Sequence, residues 1–492
     1  MKNKGLLVVV AVIIFAITLM SLVGNSMLNE TTSSTFKENV YINGESVRGK
    51  TRQNVYNNLS EKLGKQLSNS TLKLTYKDKE WVFNEEDMEI NSAVQEVVNK
   101  AFKYNVNTVN ALKGEENGNF KINAKNVYAN LENKVEEIAK EIECEPVNSE
   151  VNFNPNAEPM FIVSESRVGI KLDREKLFNE IDKQFLNSKK IEIEIPVIET
   201  KAEKDEEFFS DKLNKMSEFS TDLTNSQAGR RHNVEYALSK FNGKVVKSKE
   251  TISFNEVTSP QTLEGGYQNA TVILNGVFTQ GVGGGICQAS TTLYNACVLA
   301  NLQIEEVHKH TLPVGYVELS LDAMVSDGYA DFIFTNTSDY DVYIKTFLKG
   351  DRAYVEIYGK TIPDGYSITR EAEFIGNIPH RGDKIVPDTD KQYTNKVIYK
   401  GEYYRLKYPR EGYEAKGYKN TYKDGELIKR EEIRHEKYQP IDGIIIEGVE
   451  DLPEGFVLPE SDVEIIKPQT AETKIEGVAQ KIKNQNPTRF AL

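Results

Sequence analysis

Residues 5–23 read GLLVVVAVIIFAITLMSLV, without one charged side chain. About 20 consecutive apolar residues are what a helix needs to cross a bilayer, so this run has one comfortable environment. Lys2 and Lys4 precede it and no basic cluster follows closely, which leaves the N-terminus in the cytoplasm and sends the rest of the chain outward. A cleaved signal peptide is the competing reading. The run is long for one, and Gly24-Asn25-Ser26 replaces a small-residue cleavage site. Residues 1–27 are therefore expected to be a cytoplasmic tip and single-pass transmembrane anchor. The bulk of the protein then lies outside the cytoplasm, on the cell membrane and facing the wall.

The chain beyond this run is too long for one core and is expected to form about three domains. The net charge of −13 is spread along the chain, which argues against nucleic acid as a partner. Three cysteines, Cys144, Cys287 and Cys297, are too few and too odd in number to staple an exported protein by disulfides.

A helix–strand unit occurs twice in residues 39–200. In the first copy Thr51 is placed as an N-cap, Val55, Leu59 and Leu63 follow at helical spacing, and Leu72, Leu74 and Tyr76 alternate as in a strand. In the second, Asp173 is the cap, Leu177, Ile181 and Phe185 the helix, and Ile191, Ile193, Ile195 and Val197 the strand. This predicts a pseudo-repeated α+β domain. Two amphipathic helices are expected between the copies, one with Val94, Val97, Val98 and Ala101, the other with Val127, Leu131, Val135 and Ile138. Residues 201–217 are charged and read as a linker.

The chemistry is concentrated in residues 218–360. Strands are expected at 251–254 and 271–274, and Asn275-Gly276 signals a two-residue hairpin. GVGGGICQASTTLYNACVLAN then spans 281–301. Gly283, Gly284 and Gly285 allow backbone conformations closed to other residues and close approach of a substrate. Cys287 falls where a helix should begin, and Leu293, Ala296, Cys297 and Ala300 repeat at helical spacing. Unpaired amides and the dipole at a helix start stabilise a thiolate and can hold an oxyanion. Cys287 is thus a candidate nucleophile, with the three glycines as an oxyanion and substrate loop. Cys297, about 15 Å further along a continuous helix, cannot form a disulfide with it and reads as core. A base would come from His232, His308 or His310, and spacing alone does not choose among them. No three residues have metal-ligand spacing, GVGGG lacks the lysine of a phosphate loop, and no metal or cofactor is expected.

The segments NSQAGRRHNVEYAL, ISFNEV, GGICQASTTLYNA, HTLPVGYV, LDAMV and DFIFTN, in that order over about 218–350, closely resemble the VanW domain. Some members that join a membrane anchor, a peptidoglycan-binding-like segment and a VanW domain are understood to act as L,D-transpeptidases. The resemblance implies Cys287 as nucleophile and His310 as its histidine. His232, Asp322 and Asp331 also fall on motif positions, without a role implied. One departure is that transpeptidases of the YkuD fold place the histidine shortly before the cysteine, whereas His310 follows Cys287. Residues 39–200 resemble the peptidoglycan-binding-like domain found beside VanW domains, with a spacer as the alternative.

Residues 366–450 read as all-β, with a turn at Lys423-Asp424-Gly425, and resemble a G5 domain. The alternative is a β-rich extension that packs on the VanW domain. Residues 451–492 read as a disordered tail. The expected architecture is α+β multidomain. The expected partners are the membrane and peptidoglycan, both stem peptides and glycan. The activity expected is transpeptidation through a cysteine thioester, forming 3–3 cross-links. A non-catalytic wall-binding protein and a cysteine-dependent wall peptidase are the alternatives.

Overall fold

A computed structural model describes residues 35–37, 39–106, 118–274 and 277–468. The apolar run 5–23 and the Asn275-Gly276 turn lie outside the described residues, as do residues 469–492. Among the described residues no helix is long and apolar enough to cross a membrane. The protein is a mixed α+β, strand-rich, multidomain chain. It divides into two compact units, one built from residues up to Asn148 with Ser166–Glu203, the other from Ser149–Glu165 with the chain from Lys204 onward.

In the first unit Thr51 accepts a hydrogen bond from the Asn54 amide and starts the helix Arg52–Leu67. That helix buries Val55, Leu59, Leu63 and Leu67, one face at four-residue spacing. Asp173 caps Arg174–Phe185 in the same manner, and Leu177, Ile181 and Phe185 are buried. The strands that follow the two helices are neighbours. Thr71–Tyr76 runs parallel to Lys190–Glu194, with Leu72 opposite Ile191 and Leu74 opposite Ile193, and antiparallel to Lys79–Phe83. Burying each such side chain contributes about 1.5–3 kcal/mol, so the paired copies form the seam of one core.

Two expectations are corrected here. The amphipathic stretch containing Val127 and Leu131 is not one helix: Ala124–Val127 ends before Asn130, whose φ of 57° is left-handed, and Leu131–Ile142 begins after it. Residues 149–165, expected inside the first domain, join the second unit as a hairpin. Phe153 and Phe161 of this hairpin pack edge-on against Tyr343, which explains the change of allegiance.

The second unit contains a four-stranded antiparallel sheet in the order Asn214–Asp222, Arg352–Gly359, Val342–Lys349, Lys244–Val246. The segment 201–217 is therefore not wholly a linker, because its last residues enter an edge strand. Helices Ala228–Ser239 and Ile286–Leu299 share a core with this sheet, with Val234, Leu238, Leu293 and Cys297 meeting Ile344, Val355 and Ile357. A smaller sheet orders Thr251–Ser253, Ile333–Thr335 and Gln303–Glu306. Asn269–Leu274 and Val277–Val282 pair antiparallel with Leu274 opposite Val277. Residues 366–468 contain strands and no helix. Tyr366–Ile378, Gly412–Lys423 and Glu426–Tyr438 form one sheet, and Asp383–Pro387, Gly443–Glu447 and Tyr403–Lys407 another. Within the stretch read as a disordered tail, Ile466 is anchored: its amide donates to Asp383 Oδ2 at 2.6 Å and its carbonyl accepts from the Asp383 amide at 2.8 Å.

Candidate active site

Gly285 is the N-cap of Ile286–Leu299, with φ of 114°, so Cys287 is the second helical residue. Its amide lies in the first turn, where no intrahelical acceptor exists. The glycines before it answer mainly to the chain's own packing. A Cβ on Gly284 would sit 2.6 Å from the Thr271 carbonyl oxygen, and one on Gly285 would sit 2.8 Å from that of Arg230. Both are buried, so the close approach they permit is by backbone rather than by substrate, which corrects the expectation for Gly284 and Gly285. Gly283, with φ of 82°, is part-exposed. Buried Asn233 ties the loop down: its amide group donates to the Gly284 and Gln268 carbonyls, each at 2.9 Å.

Cys287 is part-buried and unpaired. Its S–H donates to the Val325 carbonyl at 3.3 Å. Burial pushes the thiol up. The hydrogen bond and charge of His310, and then the Arg230 guanidinium, outweigh burial and bring it below its ordinary value. Arg230 is aimed by Gln288, whose side-chain oxygen accepts from its Nη2 at 2.7 Å, while Gln288 donates to the Asp222 carbonyl at 2.8 Å.

His310 is 6 % exposed and Asp322 is 1 % exposed. Asp322 Oδ2 accepts from both the His310 backbone amide and Nδ1, each at 2.7 Å. That fixes the ring and leaves Nε2 for Cys287. Burial pushes His310 down, but the bond to Asp322 and then the one to Cys287 raise it to about 9. Burial would likewise raise Asp322, and the His310 bond and charge with the Tyr438 hydroxyl hold it low. The Tyr316 hydroxyl lies 3.5 Å from His310 Nε2.

The helix carries polar side chains that grip the Asp322 segment. Thr291 Oγ1 accepts from the Ala323 amide at 2.9 Å, and Asn295 donates to the Leu321 carbonyl at 2.9 Å. Helix position therefore fixes both Cys287 and the carboxylate that orients its histidine.

Of the four expected catalytic residues, the structure brings Cys287 and His310 together. His308 turns to Glu306, with Nε2 2.7 Å from Oε1, and its side chain is 42 % exposed. His232 Nε2 lies 2.9 Å from the Gly266 carbonyl and its ring stacks on Tyr236. Asp331 accepts from the Asn255 amide at 2.9 Å and serves the local fold. Arg230, Tyr316 and Tyr438 do not stand out in the sequence. Arg230 lies two residues before His232 in the GRRHN motif, whereas nothing in the sequence links Tyr438 to Cys287. Among the described residues no group of three His, Cys, Asp or Glu side chains is arranged to hold a metal.

The sequence matches the family model "VanW like protein" over residues 229–358 and "Putative peptidoglycan binding domain" over 81–194. Uncharacterized protein YoaR of Bacillus subtilis (strain 168) is 30% identical over 236 residues, 48% of this chain and 76% of that protein. Vancomycin B-type resistance protein VanW of Enterococcus faecalis (strain ATCC 700802 / V583) is 25% identical over 142 residues, 28% of this chain and 52% of that one. Among solved structures, "IgA1 Protease G5 domain structure" aligns with 18% of this chain and 94% of its own at 15% identity and a TM-score of 0.13. "Crystal structure of HP0197-G5" aligns with 17% of this chain and 97% of its own at 13% identity and a TM-score of 0.11. Likenesses with such TM-scores decide nothing about the fold. On the sequence relationships, the chain belongs to the VanW family.

Proposed function

We propose that this protein is a membrane-anchored L,D-transpeptidase that works outside the cytoplasm on peptidoglycan. The family and the peptidoglycan-binding match carry the coarser statement, a role in the cell wall. The finer reading rests on one observation: a helix-start cysteine whose thiol is lowered by a histidine that a buried aspartate holds in one orientation. This is the arrangement of an activated nucleophile with base and orienting carboxylate.

In the reaction, the Cys287 thiolate attacks the carbonyl of the third residue of a stem tetrapeptide. The Ile286 and Gln288 amides donate to the Gly283 and Gly285 carbonyls, so it is the Cys287 amide that serves the oxyanion that forms. The His310 imidazolium gives its proton to the departing amine, the C–N bond breaks, and D-alanine leaves a thioester behind. His310 then takes a proton from the side-chain amine of a neighbouring stem's third residue. That amine attacks the thioester, a peptide bond forms and the thiolate is released. The first unit contributes wall binding and raises the local concentration of stems.

The test is to incubate the purified protein and its Cys287→Ala variant with disaccharide-tetrapeptides and read the products by mass spectrometry. Dimers that have lost one D-alanine, formed only with Cys287 present, are expected. Loss of D-alanine without dimers would replace transfer by hydrolysis. No product with a folded, wall-binding sample would remove the enzymatic reading.

A further inference from the structure

The C-terminal strands reach the site. Asp322 Oδ1, the oxygen not used by His310, accepts from the Tyr438 hydroxyl at 2.6 Å. Tyr438 ends the strand Glu426–Tyr438, well outside the family-matched residues 229–358. The same strand supplies Arg434, 6 % exposed, whose Nη1 donates to the Asp322 carbonyl at 2.6 Å. Glu436 accepts from Arg434 Nε at 2.8 Å and so holds the guanidinium in place. Two residues before Asp322, Ser320 is a buried non-glycine residue with φ of 64°, a costly conformation that its surroundings must enforce. They do so from the same sheet: its amide donates to the Tyr438 oxygen at 3.0 Å and its hydroxyl to the Ala415 carbonyl at 2.8 Å. Gly417 gives the loop room, since a Cβ there would sit 2.8 Å from the Ser320 carbonyl oxygen.

We infer that the C-terminal β-sheet is part of the catalytic unit, and that Tyr438 is a positioning residue which, through Asp322 and His310, sets the reactivity of Cys287. Every polar contact of the Asp322 side chain is then assigned, two donors from His310 and one from Tyr438. Without the hydroxyl, Oδ1 is a buried carboxylate oxygen with no donor. Such an oxygen favours protonation or rotation, and either weakens the hold on the His310 imidazolium. Because the contact runs to a segment outside the VanW match, it extends the site beyond that domain.

The inference rests on Cys287 being the activated thiol, but not on which acceptor resolves the thioester. The experiment therefore reads the thiol and not cross-links. Full-length protein, its Tyr438→Phe variant and a Tyr413→Phe control are alkylated with iodoacetamide across pH, and the Cys287 peptide is followed by mass spectrometry. Tyr413 lies opposite Tyr438 on the neighbouring strand. Tyr438→Phe is expected to move the midpoint of the Cys287 profile up by about one unit, and so to slow alkylation roughly tenfold below it. Tyr413→Phe is expected to leave the profile in place. On an Asp322→Asn background Tyr438→Phe should add no further shift, which a general loosening of the fold would not reproduce. An unshifted profile for Tyr438→Phe, or an equal extra shift when it is combined with Asp322→Asn, overturns the inference. A wild-type thiol with an ordinary midpoint would instead sink the proposed nucleophile itself.

Discussion

Replacing Asp322 by asparagine separates the charge of the carboxylate from its shape. The aspartate accepts three hydrogen bonds, at 2.7, 2.7 and 2.6 Å. An asparagine carbonyl can take the two from His310, and its NH2 then faces the Tyr438 oxygen, which can accept. The site keeps its geometry and loses its anion. His310 is raised from 6.5 to about 9, against burial, by Asp322 first and Cys287 second. The Asp322 hydrogen bond is the leading upward influence, and its loss is expected to lower His310 by roughly one to two units, each worth about 1.4 kcal/mol or tenfold. The Cys287 thiolate and His310 imidazolium titrate as a pair, so the loss appears as an upward move of the apparent thiol midpoint by about the same amount. Alkylation by iodoacetamide below both midpoints should slow by roughly 10- to 100-fold, and the profiles should converge above them. Stability carries the same sign. The raised His310 stabilises the fold fully below 6.5 and stops doing so as pH rises through about 9. The lowered Asp322 stabilises it above the ordinary carboxylate range and stops doing so as pH falls through its folded value. Wild type should therefore exceed Asp322→Asn most between about pH 4 and 6.5, with the margin narrowing towards pH 9. Superimposable alkylation profiles for the two proteins would refute the reasoning, as would a slowing equal at every pH.

The same contacts set the outcome of three other substitutions. His308→Ala and His232→Ala should leave the Cys287 alkylation profile within about twofold of wild type, because neither ring touches the Cys287–His310–Asp322 chain. A profile that collapses in either variant would reassign the base. Gly285→Ala puts a side chain at φ of 114° and 2.8 Å from the Arg230 carbonyl oxygen. It should cost about 1–3 kcal/mol in chemical denaturation and blunt Cys287 reactivity by moving the helix start. An unchanged denaturation midpoint would count against the packing role of that glycine.

Local signals in the sequence are faithful to the fold. The caps Thr51 and Asp173, and the buried faces beyond them, depend on residues a few positions apart. The pairing of Thr71–Tyr76 with Lys190–Glu194 has no local signature: the repeat announces two similar units but not that their strands lie side by side. The break at Asn130 is hidden because an apolar period continues across it while one residue turns left-handed. Residues 201–217 look like linker because they are charged. Among the described residues Asn214–Asp222 is an edge strand with one neighbour, and Lys215 pairs both with Glu218 on its own strand and with Glu356 on that neighbour, so its charges are spent within the sheet.

The site divides along the same line. Cys287 is legible because glycines and a helix start adjoin it in sequence. The choice among three histidines is not legible, because it turns on which of them meets a carboxylate, and His310 meets Asp322 twelve positions on. The run ASTTLYNA looks like a helix with one apolar face. Its polar face is buried as well, since Ser290, Thr291 and Asn295 are spent on the carbonyls and amide of residues 321–323. Hydrogen bonds to backbone leave no complementary residue type to find at the other end, so this half of the site is silent in composition. Tyr438 is silent for a related reason: a tyrosine closing an alternating strand reads as ordinary sheet until the loop it caps is placed on it. A candidate site assembled by side-chain and backbone contacts from two stretches more than a hundred residues apart is therefore better tested by moving one hydroxyl than by scanning for a motif.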